Sequence, residues 1–156
     1  MLSKRQFNAV SEQLDELATK LQVSALYLVN SSGQIIARKV RDRRINSATL
    51  ATLAASTYSA GTEMARILGE RLNFKMVLHE GIDRNIFISS ITDDYFLIVV
   101  FKKGVATGMV RIFTKKTTET LRPLILPSDD SDQRMDHIID RQFQILLDSK
   151  LDTLGE

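Results

Sequence analysis

Three apolar segments, FKMVLHE (residues 74–80), NIFISSI (85–91) and YFLIVVF (95–101), are separated only by GIDR and TDD. Connections this short, rich in Gly and Asp, join neighbouring strands that run antiparallel. Upstream, SALYLVN and QIIARKV flank SSG, whose Gly33 can take the positive φ of a tight turn, so this pair reads as a hairpin. Two strand blocks of this kind leave few architectures. The segment between them is long and helical, and it must carry the chain from strand two to strand three, so it is expected to lie across one face of a five-stranded antiparallel sheet.

Phe7, Val10, Leu14, Leu17, Ala18 and Leu21 recur at three- and four-residue steps, which predicts an amphipathic helix over residues 3–21. Asn46 or Ser47 can cap the central helix, which is expected to run to about Arg71, with its closing turn near Asn73. After Gly104 a helical pattern resumes through Val105, Met109, Ile112, Phe113, Lys116 and Leu121. The order is αββαβββα, an α+β domain whose sheet lies between the central helix and the two terminal helices.

On a helical wheel, Leu50, Leu53, Ala54, Thr57, Gly61, Met64, Leu68 and Leu72 form one stripe of the central helix, expected to face the sheet. The other side begins with Thr52, Ala55, Ser56 and Ser59, and charge appears there only at Glu63, Arg66 and Glu70. Small neutral side chains let a second backbone approach closely, so this side is expected to abut another helix or another chain. The alternative is a surface helix that is simply rich in Ala and Ser.

Charge divides the chain. Residues 1–122 carry 18 basic and 11 acidic side chains, whereas residues 123–156 carry 3 and 8. The sign changes at RPLILPSDDSD, which holds both prolines, so a domain over 1–122 and an acidic extension over 123–156 are expected. Met135, Ile138, Ile139, Phe143, Leu146 and Leu147 fall on one side of a helix expected over 132–150, capped near Ser131 or Asp132. Its apolar side needs a surface, whether on this domain, on a twin or on a third protein. With no cysteine, the chain fits a reducing compartment. The N-terminus has no apolar signal region, and the run Tyr95–Phe101 is too short to span a bilayer, so a cytoplasmic protein is expected.

Catalytic or cofactor chemistry finds little support. His79 and His137 are the only histidines. His79 stands next to Glu80, but consecutive strand residues point to opposite faces, so the two diverge. No GxxxxGK or GxGxxG occurs, and neither a metal nor a cofactor is expected. RKVRDRR, residues 38–44, places five cations in seven positions. It reads as a solvated loop, or as a patch attracting nucleic acid or a membrane surface. Without aromatic interleaving, nucleic acid is not expected.

ALYLVNSSGQIIAR, LATLAASTYSAGTEMARILGE, HEG and YFLIVVFKKGVATGMVRI, in this order, resemble the roadblock family over roughly residues 5–122. Within that family the chain is similar to a bacterial regulator of a Ras-like GTPase. The resemblance implies a homodimer with central helices side by side and middle strands joined in one continuous sheet. It places Ala51, Ala55, Tyr58, Ser59, Thr62, Phe74, Met76 and Leu78 at the dimer interface. It also implies that the paired helices form a platform for one GTPase per dimer, through Thr52, Ala55, Ser56, Ser59, Glu63 and Arg66. A protein of this kind is not itself an enzyme. It activates the GTPase by repositioning the GTPase's own catalytic residues, without an arginine finger, in polarity or motility control. The alternative is a scaffold dimer that tethers partners without stimulating hydrolysis.

Overall fold

A computed structural model of the chain describes residues 2–126 and position 145. The chain divides into two compact units, Met1–Arg122 and Pro123–Glu156. Apart from position 145, the helix expected over 132–150 lies outside the described residues, as does His137.

Helix α1 (Lys4–Leu21) starts at a capping box, in which the Ser3 side chain accepts from the Gln6 backbone and the Gln6 side chain accepts from the Ser3 backbone. Val10, Leu14, Leu17, Ala18 and Leu21 make its buried stripe, while Phe7 stays exposed. Strands β1 (Ala25–Asn30) and β2 (Ile35–Val40) form the expected hairpin. Its turn is closed by the Asn30 side chain, which accepts from the backbones of Ser32 and Gln34, and by Gly33 at φ +87°. Helix α2 (Ser47–Ile67) is capped by Asn46, whose side chain accepts from the Thr49 backbone. Strands β3 (Met76–Glu80), β4 (Arg84–Ser90) and β5 (Tyr95–Lys102) follow, then a helix over residues 107–126, α3, of which 107–122 belong to the first unit.

All strand pairs are antiparallel, in the order β2-β1-β5-β4-β3. The two edges are therefore β2 and β3, the strands that α2 connects. A helix of this length spans about 30 Å, ample to cross five strands spaced about 4.8 Å apart. The most deeply buried strands are β5 at the centre and β1 beside it, buried apart from their end residues, which accounts for the unbroken apolar run YFLIVVF.

Period-two alternation divides the core into two layers. Ala25, Tyr27, Val29, Phe96, Ile98, Val100 and Ile88 face α2 and pack with Ala51, Ala54, Ala55 and Tyr58. Leu26, Leu28, Leu97, Val99 and Phe101 alternate with them and point to the side covered by α1 and α3. The two helices are tied to each other and to the sheet edges. Lys20 of α1 lies 5.5 Å from the centroid of the Phe113 ring on α3. Lys39 of β2 reaches Asp15 at 2.9 Å and Ser11 at 3.0 Å, both on α1. Arg111 of α3 donates to the sulfur of Met76 on β3.

The central helix is oriented differently from the wheel expectation. Its buried side is Ala51, Ala54, Ala55, Tyr58, Gly61 and Ala65, while Leu53, Met64, Leu68 and Leu72 of the expected sheet-facing stripe are exposed. The helix is turned by about a quarter of a revolution from that expectation. The reason is volume. Tyr27, Phe96 and Ile98 already fill the space above the sheet, so only the small side of α2 can approach closely enough to exclude water. Tyr58 is the one large residue on that side, and its ring stacks on Phe96 with centroids 4.6 Å apart. Its hydroxyl shares a hydrogen bond with Ser90 and donates to the Thr92 carbonyl.

Candidate interaction surface

The exposed surface of α2 has two flanks of different chemistry. A polar flank carries Thr52, Ser56, Ser59, Glu63 and Arg66, and an apolar flank carries Leu53, Ala60, Met64 and Ile67. The polar flank follows alternating four- and three-residue steps, and the apolar flank recurs after seven, four and three residues, both compatible with a helix seam. A Cβ added to Gly33 would lie 3.3 Å from Thr52 Cα and 3.5 Å from Ala55 Cβ, so the polar flank overhangs the β1–β2 turn. Gly61 and Tyr58 instead meet Asn73, whose side chain donates to the Tyr58 carbonyl. Leu50 and Val77 are half-buried against the core beneath α2.

Few donors project from this surface. The hydroxyls of Thr52, Ser56, Thr57 and Thr62 each donate to the carbonyl four residues earlier, at 3.0–3.2 Å. Satisfied in this way, they present methyl and methylene groups outward. Glu63 and Arg66 pair at 2.7 Å in the open, an arrangement worth little to stability. At the edge of the sheet β3 is hydrogen-bonded to β4 on one side only, with Met76, Val77 and Leu78 half-buried. Its other edge offers backbone groups to a further strand.

Of the residues expected at the two contacts, Thr52, Ser56, Ser59, Thr62, Glu63 and Arg66 are exposed, and Phe74, Met76 and Leu78 are half-buried at or next to the edge strand. Ala51, Ala55 and Tyr58 correct the expectation, because their side chains pack against the chain's own sheet. The reading of α2 as small on the outside missed Leu53, Met64 and Ile67, which are exposed instead. The signal available for them was the breadth of apolar residues around the helix, too wide for one buried stripe.

A groove of about 1200 Å³ runs between the α2–β3 connection, the β4–β5 turn and α3, lined by Phe74, Met76, Ile91, Arg111 and Lys115 among others, with no histidine. His79 and Glu80 are exposed and alternate across β3. Among the described residues, no three of His, Cys, Asp and Glu gather as metal ligands. Among the same residues no helix is long and apolar enough to cross a membrane.

The basic segment is only partly neutralised. Asp42 accepts from the backbone and side chain of Arg44 and, at 2.6 Å, from Arg84 of β4. Hydrogen bonds from Arg44, with the charge of Arg84 added, hold its carboxyl well below the ordinary value of 3.8. A carboxylate whose folded-state pKa is depressed stabilises the fold fully above its unfolded pKa and loses that contribution as pH falls below it. Asp42→Asn should therefore melt at a lower temperature than wild type at neutral pH, with the gap closing as pH drops below 3.8. Thermal unfolding followed across pH checks this, and a gap unchanged down to acid pH would contradict it.

Residues 9–101 match the model of the Roadblock/LC7 domain. No curated protein sequence matches the chain. Among solved structures, the fold is similar to that of MglB from Myxococcus xanthus, with a TM-score of 0.74 and 24% identity over 80% of this chain and 92% of that one. An MglB solved in a tetrameric arrangement gives the same score and identity, over 80% and 93%. The gliding protein MglB from Thermus thermophilus is likewise similar, at 0.74 and 24%, over 80% and 93%. The fold is shared with these proteins, and with a match to the family's own pattern over more than half its length, the chain belongs to the Roadblock/LC7 domain family.

Proposed function

We propose that this protein is a homodimeric regulator of a small Ras-like GTPase, working in the cytoplasm of a bacterium as a GTPase-activating protein. The observation that carries this reading is the presence on one protomer of both an unsatisfied strand edge and an exposed apolar helix flank. A second copy meeting that edge extends the sheet, and Leu53, Met64 and Ile67 then meet their twins across the two-fold axis. Phe74, Met76 and Leu78 line the same junction.

The polar flanks of the two helices then form the outer surface, with Thr52, Ser56, Ser59, Glu63 and Arg66 from each subunit as the GTPase contact. A two-fold platform covered by one asymmetric partner is blocked to a second copy, so one GTPase binds per dimer. Arg66 is paired with Glu63. The contribution of the surface is to position the GTPase's switch regions, where phosphoryl transfer gains most from orientation.

The test is GTP hydrolysis by an MglA-type GTPase with and without this protein, together with the stoichiometry of the complex by analytical ultracentrifugation. Accelerated hydrolysis at one GTPase per dimer is expected. Binding without acceleration would assign a scaffold, and a monomer at micromolar concentration would remove the platform.

A further inference from the structure

We infer that the end of the sheet formed by the β2–α2 loop, the β3–β4 turn and the end of β5 is a docking surface for an anionic membrane. Three stretches distant in sequence meet there. Arg41, Arg43 and Arg44 leave β2, Arg84 opens β4, and Lys102 and Lys103 close β5. Short contacts hold them together. Arg84 pairs with Asp42 at 2.6 Å and stands opposite Lys102 in the strand register. The backbone of Lys103 donates to the Asp83 carbonyl, and those of Arg41 and Asp42 donate to the Ser24 carbonyl. Against these six cations stand Asp42, already shared by two arginines, and the exposed Asp83 and Glu80.

Charge alone would suit any polyanion, and Ile82 decides the class. It sits at the tip of the β3–β4 turn, beside Asp83 and Arg84, and is 89% exposed, more than any other large apolar side chain among the described residues. Nothing in the fold uses it. An exposed apolar tip on an end of the sheet where six cations outnumber three carboxylates fits a bilayer surface, where the side chain enters the headgroup boundary and the cations meet lipid phosphates. Single-stranded nucleic acid would call for exposed aromatic faces to stack on, and among the described residues the aromatic side chain at this end, Phe101, is buried. The inference is independent of the GTPase reading. It assigns a surface-bound state to a chain whose described helices do not cross a membrane.

Co-sedimentation of the full chain with phosphatidylcholine vesicles, with and without phosphatidylglycerol, tests it. Binding is expected only to the anionic vesicles, and it should disappear near 1 M salt, where the screening length is about 3 Å. Arg43→Gln and Lys103→Gln should each weaken it about fivefold, and the two together more. Ile82→Ser should weaken it several-fold without changing thermal stability or the association state in the absence of lipid. Lys115→Gln on α3 should have no effect. Equal binding to both vesicle types overturns the inference, as does binding indifferent to Arg43 and Lys103. A change in association state with Ile82→Ser would instead assign the tip to a protein contact. Tighter capture of a single-stranded RNA oligonucleotide, lost with the arginines and kept with Ile82→Ser, would assign a nucleic-acid patch.

Discussion

Ala55→Arg should leave little folded protein, whereas Ser59→Arg, one helical turn away, should leave the protomer intact. Ala55 is 7% exposed and packs under α2 against the β1–β2 turn, with the site of a Gly33 Cβ only 3.5 Å from its own. There is no volume for a guanidinium and no carboxylate to receive it. Overpacking costs about 1–3 kcal/mol, and an uncompensated buried charge typically adds about 3–5 kcal/mol. Together they take up much of a typical stability of about 5–15 kcal/mol. Ser59 is exposed on the polar flank, where a substitution stays within about 0.5 kcal/mol of wild type. Urea unfolding followed by circular dichroism compares the two, and equal stabilities would mean that α2 is not seated on its small side.

The second large effect concerns assembly. Leu53→Glu combined with Met64→Glu is expected to give a folded monomer and to return GTP hydrolysis to the intrinsic rate of the GTPase. Both side chains are more than half exposed, so the protomer tolerates the change. Across a two-fold axis, however, each new carboxylate would face like charges, a juxtaposition that costs several kcal/mol. Sedimentation velocity reads the assembly and single-turnover hydrolysis reads the activity. Arg66→Ala should keep stimulated hydrolysis within a few-fold of wild type, since positioning does not depend on an arginine supplied in trans. A loss of about 10³–10⁵ with binding intact would instead make Arg66 a finger. A doubly substituted protein that still dimerises and stimulates would place the seam on another face.

Much of the secondary structure was legible in the order of residues because it is governed locally. The short GIDR and TDD connections permit only antiparallel neighbours, and Gly33 does take the left-handed turn that SSG announced. Asn46 does cap the central helix, and the six-residue stripe of α1 is buried apart from Phe7 at its first turn. Each of these follows from the conformational preference of one to four residues.

The interaction surface needed the tertiary structure. Apolar residues spread around more than half of α2, so periodicity alone did not identify the buried side. The facing sheet decides it, because Tyr27, Phe96 and Ile98 leave room for alanines and glycine but not for Leu53 or Met64. Large apolar groups are therefore displaced to the outside, where they become material for an interface. Likewise, RKVRDRR is visible as a charged run, but its union with Arg84 and Lys102 comes from the pairing of β1 with β5, strands that are not consecutive. Local preference set which of the described segments become helices and strands, although α2 ends at Ile67 and not near Arg71. Which faces they bury, and which distant charges they bring together, was settled by the volumes that must fit above one sheet and by the order in which its strands lie.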